Sequence, residues 1–244
     1  MAKITSTPAS SISADVLGYD SSSQEMDLGA KLVDNMGRIY RYCKVGAVAI
    51  VPGKLYDGPA EIANHQNVTC AVAAAGATSI TVTLGATAAT ANQYTDGVIV
   101  INDVDGQGFT YGIESHPAAD ASATLALTLK EGEEVITATT TSSQATLVPN
   151  QYNGIIVHAA TETGVPVGVG VSAVTAAQFG FIQTGGAVGI LHDATVAEVG
   201  LPAAASTTTI GAVTLGTGAL KEIGTMLATG VSTEYNPVYM TLDT

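Results

Sequence analysis

The clearest pattern in the chain lies between Val165 and Leu191, which reads VPVGVGVSAVTAAQFGFIQTGGAVGIL. Val165, Val167, Val169 and Val171 alternate with other residues. A turn-like Thr175-Ala176-Ala177-Gln178 leads into Phe179 and Phe181, and Thr184-Gly185-Gly186 precedes Val188 and Ile190. Apolar residues at every second position, β-branched and aromatic among them, build strands with one face buried. Glycines mark tight turns or places where backbones approach closely. The stretch predicts three short strands joined by tight turns, the middle of a small β-barrel.

The same period recurs on both sides of it. Lys31-Leu32-Val33 and Arg38 to Lys44 flank the turn Asp34-Asn35-Met36-Gly37 and predict a hairpin. Val45 to Val51 and Leu55-Tyr56, with Pro52-Gly53 between them, predict a second pair. From Val68 to Leu147 the signal is dense: Val68, Cys70 and Val72; Ile80, Val82 and Leu84; Phe109 to Ile113; Leu125, Leu127 and Leu129. Val98 to Ile101 follows the turn dipeptide Asp96-Gly97 and precedes another, Asp105-Gly106. Residues 76–84 (GATSITVTL) and 121–129 (ASATLALTL) resemble each other and read as related strands of one sandwich. Residues 86–94 allow a short helical turn. Strand signals resume at 155–157 and close the chain at 194–199, 210–215, 221–228 and 238–242.

Residues 1–24, rich in Ser, Thr and Ala, lack apolar periodicity and read as an extended arm. The strands between 29 and 66 are too few to stand alone, since an isolated hairpin is marginal. They are assigned to the C-terminal barrel. The expected fold is therefore all-β: a small β-barrel (29–66 plus 148–244) with an inserted β-sandwich, β-tulip-like, domain (67–147) and an N-terminal arm (1–28).

Composition narrows the function. Only 12% of the 244 residues are charged, there is no Trp, there are three Phe, and the net charge is −13. Such acidity disfavours nucleic acid and anionic membranes as partners. Five of the eight basic residues, Lys31, Arg38, Arg41, Lys44 and Lys54, lie in one short stretch, which marks it as a candidate docking side. Cys43 and Cys70 can pair, but two cysteines make no disulfide framework, and two buried thiols are the plainer expectation. No run of 18 apolar residues is present, and the first residues lack the apolar core of a signal peptide.

Motifs of chemistry fail on context. Gly168-Val169-Gly170-Val171-Ser172-Ala173 matches a dinucleotide fingerprint by letter but leads into strand and turn, where a helix is needed. Residues 211–218 (GAVTLGTG) have glycine spacing without the Lys-Ser or Lys-Thr of a phosphate loop. Asp103-Val104-Asp105-Gly106-Gln107-Gly108, with Glu114 at position 12, has calcium-loop letters, but its flanks read as strands, so a hairpin turn is expected. His65, His116, His158 and His192 are scattered without metal-ligand spacing. The expectation is a chain that is no enzyme, with no catalytic, metal or cofactor site.

A resemblance gives this a direction. Residues 167–186 (VGVGVSAVTAAQFGFIQTGG) resemble the barrel core of head decoration, or cement, proteins of tailed bacteriophages, where a valine strand, a turn before Gly and an aromatic strand ending in Gly recur. Residues 46–55 (GAVAIVPGKL) are similar to the N-terminal strand pair of those proteins, and residues 68–147 resemble stretches of phage virion structural proteins. The resemblance implies a homotrimer on the outer surface of the phage head, bound to the major capsid protein at local three-fold positions and stabilising the shell. The alternatives are a tail or fibre component, or a host-surface or carbohydrate-binding β module. The last needs aromatic platforms, for which Tyr94, Tyr111 and Tyr152 are the candidates.

Overall fold

A computed structural model describes residues 16–161, 163–196, 198–218 and 220–243. In chain order the strands are β1 (Lys31–Val33), β2 (Ile39–Val45), β3 (Leu55–Asp57), β4 (Val68–Cys70), β5 (Ser79–Thr83), β6 (Val98–Asp103), β7 (Thr110–Ser115), β8 (Thr124–Leu129), β9 (Gln144–Val148), β10 (Asn153–Val157), β11 (Pro166–Gly170), β12 (Phe179–Leu191), β13 (Pro202–Ala205), β14 (Val213–Leu215), β15 (Glu222–Met226) and β16 (Tyr235–Thr241). The chain is all-β, with a 3-10 turn at Ala63–His65. It divides into two units, residues 1–59 with 154–244, and residues 60–153. The joints thus fall at 59/60 and 153/154, within seven residues of those read from the sequence (66/67 and 147/148).

The inserted unit is a closed six-stranded barrel in the order β4-β5-β8-β7-β6-β9, with β9 paired back onto β4. This corrects the expected sandwich. Period-2 patterning gives each strand one apolar face but does not say whether the sheet faces a second sheet or closes on itself. Here Val68↔Ala145 and Thr69↔Gln144 close it. The inward residues are those the alternation named: Ile80 and Val82, Ile99 and Ile101, Tyr111 and Ile113, Leu125, Leu127 and Leu129, all in one buried cluster. The two look-alike segments are direct neighbours, paired antiparallel from Ser79↔Thr128 to Thr83↔Thr124. Residues 86–94 form bends and turns in place of the helical turn expected.

In the other unit, β2-β10-β3-β11-β12 forms a ring closed by the β2–β12 pairing, and β16-β15-β13-β14 continues the sheet from β12. One strand, β12, serves both. Phe179 to Gln183 pair with Lys44 to Tyr40 of β2, and Gly185 to Leu191 pair with Thr241 to Tyr235 of β16. The predicted turn at Thr184-Gly185-Gly186 is therefore a bulge within one strand of thirteen residues, so the stretch 165–191 holds two strands and not three. The glycines are needed for approach. A Cβ on Gly185 would stand 2.8 Å from the Asp243 carbonyl and 2.9 Å from Ile39, and Gly186 holds φ +82° against Arg38.

The hairpin β1–β2 forms as read, with Lys31↔Arg41 and Val33↔Ile39. The second pair, 45–51 with 55–56, does not form. Val45 N–H donates to Gln178, Gly46 N–H to Ile155, and Ile50 bridges to Val174, so this segment is held by non-local partners. β3 pairs with β10 and β11. The core between ring and sheet holds Leu55, Val169, Ile190, Val213, Ile223, Val238 and Met240.

The arm needs a further correction. Val16 is fully buried and Leu28 nearly so. Tyr19 packs edge-on against Phe181 and Tyr42, with centroids 5.3 and 6.1 Å apart. Ser21 and Phe179 exchange backbone hydrogen bonds of 3.1 and 2.8 Å. Asp20 accepts from the Thr175 hydroxyl at 2.6 Å. Residues 16–28 are thus built into the ring's aromatic side, and the rest of the expected arm, residues 1–15, lies outside the described residues.

Candidate functional site

The five basic residues expected to form a docking side sit on or beside β1–β3 of the ring unit, and most face an internal partner. Arg41 makes a two-pronged contact with Asp243, Nε to Oδ2 at 2.5 Å and Nη2 to Oδ1 at 3.0 Å, and its Nη1 donates to the Gly29 carbonyl at 2.7 Å. Lys31 Nζ stands 3.7 Å from the same carboxylate. Arg38 Nε donates to Asp34 Oδ2 at 2.6 Å. Lys44 lies over the Phe179 ring, 5.7 Å from its centre. Lys54 is half-buried.

The anions are held ionised by these contacts. For Asp243, the hydrogen bond from Arg41 outweighs burial, and the charges of Arg41 and Lys31 add to it, so its pKa is lowered. For Asp34, burial opposes ionisation. The hydrogen bonds from Arg38 and Met36 prevail over it, and the pKa is again lowered. Burial above all pushes the Tyr40 hydroxyl, beside Asp34, up to about 12. Lys31, Arg38 and Arg41 thus share two carboxylates, Asp34 and Asp243, while Lys44 and Lys54 make no ion pair among the described residues, so the stretch is partly neutralised and keeps a net positive charge. The sequence shows the cations because they are local. It hides Asp243, which lies 202 residues from Arg41 along the chain.

Three of the four histidines, His65, His116 and His158, are held by ring hydrogen bonds, whereas His192 is buried with neither ring nitrogen hydrogen-bonded. Within the ring unit, His158 and Asp57 are both wholly buried. His158 Nδ1 faces both carboxylate oxygens, at 3.0 and 2.8 Å, and Nε2 donates to the Ser206 carbonyl at 2.9 Å. Ser206 in turn donates its hydroxyl to Asp193, which also accepts from Thr208 at 2.8 Å. Ser, His and Asp thus occur together, but the serine offers its carbonyl and not its hydroxyl to the imidazole. The arrangement has no nucleophile–base contact. Its backbone ties are as telling: His158 N–H donates to Leu55, and its carbonyl accepts from Gly211. The network pins β3 and the end of β10 to the end of β13.

In the inserted unit, His65 hydrogen-bonds the Tyr94 hydroxyl and, through Nε2, the Thr87 carbonyl. His116 Nε2 accepts from the Tyr94 N–H at 2.9 Å, and Nδ1 donates to the Pro117 carbonyl at 2.8 Å. A second proton on His116 would displace the Tyr94 N–H. Burial lowers its pKa from 6.5, the Pro117 carbonyl works against this, and the nearby His65 reinforces it. Below pH 6.5 the unfolded chain takes up a proton that the folded barrel refuses until a lower pH, so stability falls as pH drops through that window. Amide exchange in β6 and β7, corrected for its intrinsic rate, is expected to quicken on acidification below pH 6.5. Protection that stays constant through that range would show that His116 titrates alike in both states.

The remaining motifs resolve as structure. Asp103 and Asp105 are exposed in the β6–β7 turn, Asp103 accepting from the Val104 N–H at 2.9 Å and Asp105 from the Thr140 hydroxyl of the loop before β9 at 3.1 Å, and Glu114 faces Lys130. Gly168 to Gly170 lie in β11, and no helix follows them. Among the described residues both cysteines are free and buried. Burial raises both thiols, Cys70 to about 11. Of the tyrosines considered as sugar platforms, Tyr94 and Tyr111 point into the inserted barrel's core, and Tyr152 is half-buried. A shallow cavity of about 330 Å³ in that unit is lined by neutral groups, among them Asn64, Gln66, Asn67, Thr69 and Thr83. Among the described residues, no group of three His, Cys, Asp or Glu is placed to hold a metal, and no helix is long and apolar enough to cross a membrane.

Comparison with protein-family models, curated proteins and solved structures gives no match.

Proposed function

We propose that this chain is a structural virion protein that decorates a bacteriophage capsid, seated as a trimer at local three-fold positions of the major capsid protein lattice and reinforcing the shell from outside. The observation that carries the reading is the surface. Large apolar side chains stand in solvent on both units: Val48 at 62% exposure, Val72 at 71%, Ile136 at 62%, Val199 at 62%. In a chain with only 12% charged residues, such a surface suits a protein whose faces are covered by neighbours. The resemblance of residues 167–186 to cement proteins supports the capsid lattice as that neighbour, whereas the strand pair on which the likeness of 46–55 rested does not form. Attachment follows from surface fit more than from charge, because Arg38, Arg41 and Lys31 already face Asp34 and Asp243.

The test is re-addition of the purified full chain to heads that lack it, followed by sedimentation. The chain is expected to pellet with the heads to a saturating stoichiometry and to resist moderate salt, as contacts that are mainly apolar do. A chain that stays in the supernatant at every concentration would overturn the proposal.

A further inference from the structure

The cavity of about 330 Å³ on the inserted barrel lies at the lower end of the size range of ligand pockets. Its floor is set by strand register. Thr69 of β4 stands directly opposite Thr83 of β5, and both point outward. Thr83 is in turn opposite Thr124 of β8, and Thr69 opposite Gln144 of β9. Four neighbouring strands thus carry one outer row of hydroxyl and amide groups, which ends at the exposed Asp103 opposite Gln144.

The rim is the turn from Ala63 to Asn67, and it is held from below. The buried His65 ring bonds the Tyr94 hydroxyl and the Thr87 carbonyl. The Gly85 N–H donates to the Asn64 carbonyl at 2.9 Å, and a Cβ on Gly85 would stand 2.6 Å from that oxygen, so only glycine lets the turn sit this close to the end of β5. Asn64 Nδ2 donates to the Thr87 hydroxyl at 2.9 Å, which leaves its Oδ1 to accept. Asn67 Oδ1 accepts from Asn102, which leaves the Asn67 amide nitrogen to donate. The Gln66 amide and the Thr69 and Thr83 hydroxyls have no hydrogen-bond partner among the described residues. These groups are already in place, so a ligand that met them would order little of the protein.

The lining selects the class of ligand. No residue of the lining is charged, so neither an anion nor a cation is favoured. Val68 and Leu84 belong to the buried core and offer no apolar wall. The barrel is closed, with β4 bonded to β5 and β9, so an extended peptide has no free edge to join here. What remains is a fan of amides and hydroxyls that donate and accept, as the hydroxyls of a sugar do.

We propose that this cavity binds a neutral polyhydroxyl ligand, a sugar unit, through Asn64, Gln66, Asn67, Thr69 and Thr83. No aromatic side chain lines it, so there is no stacking platform and a single site binds weakly, with Kd on the order of 1–10 mM. The decoration reading multiplies this. Copies arrayed on a shell present many such sites to one surface, and avidity raises the effective affinity without new contacts. The site itself does not depend on that reading.

The test is titration of the full chain, followed by the amide signals in nuclear magnetic resonance, with methyl glucoside, methyl galactoside, methyl mannoside and N-acetylglucosamine. Inorganic phosphate and an uncharged tetrapeptide serve as comparison probes. One or more of the sugars is expected to shift the amides of residues 64–69 and 83–85 saturably. The double variant Gln66→Ala, Thr83→Val is expected to weaken this about tenfold with an unchanged unfolding midpoint, because valine keeps the β-branched shape of the exposed strand position. Absence of saturable shifts with all four sugars up to about 100 mM overturns the proposal. Sugar binding that the double variant retains overturns the placement, and phosphate or peptide binding equally well at these amides overturns the class of ligand. None of these outcomes bears on whether the chain pellets with heads, so the two readings fail separately.

Discussion

Replacing Asp57 with alanine is expected to destabilise the ring unit by about 3–5 kcal/mol, the usual cost of removing one partner from a buried pair. Asp57 and His158 have no solvent exposure, so water cannot take the lost partner's place. The alanine removes the carboxylate that Nδ1 of His158 faces while Nε2 remains tied to Ser206. The damage should spread, because the His158 backbone also holds Leu55 and Gly211. Amide exchange should therefore quicken in β3 and around Gly211 and remain unchanged in the inserted barrel. Replacing both residues with apolar ones of similar volume should recover part of the loss, since a buried pair adds little beyond what good packing gives. Urea unfolding of the single and double variants checks both statements. An Asp57→Ala midpoint equal to the native one would mean that the pair is not the pin described.

The second large effect is at Arg41. Its loss in Arg41→Ala removes a two-pronged contact to Asp243 and a bond to Gly29, and is expected to cost about 1.5–3 kcal/mol. Arg41→Glu should cost more, because it sets a carboxylate against Asp243 and Gly29 O. Asp243 titrates below its ordinary 3.8 when folded, so the native pair contributes fully above that value and loses its contribution as pH falls through the lowered pKa. The pH profile distinguishes this role from docking. A structural role predicts that Arg41→Ala lowers the unfolding midpoint at neutral pH and that the gap to the native chain narrows in strong acid. A pure docking role predicts a native midpoint with weaker capsid binding.

What the sequence discloses and what it hides follow from range. Most strands of the inserted barrel are legible from alternation, with Ile80 and Val82 inside and Ser79 and Thr83 outside, but Val72, which continues the alternation of Val68 and Cys70, lies beyond the end of β4 and is 71% exposed. Closure is not legible, because it depends on β9 returning to β4, a pairing that leaves both strands with the same alternation they would show in a sandwich. The letters of Gly185-Gly186 signal a turn that would split β12 in two. Only the proximity of Ile39, Arg38 and the Asp243 carbonyl shows why those glycines are there. Tyr19 looks like part of an arm because a single aromatic among Ser and Asp has no period, and its partners Tyr42 and Phe181 lie far along the chain. The basic stretch is visible as letters, and its partial neutralisation is not, since one of its two anions comes from the other end of the sequence. The apolar signal marks Val238 to Leu242, and the strand itself begins three residues earlier, at Tyr235.

The most direct measurement of the central claim is a reconstruction of the particle in which the chain occurs, at a resolution that separates β-barrels. The account predicts β-barrel density on the outside of the head, clustered three to a local three-fold axis. Barrel density on the tail, or a head surface without it, would contradict the account.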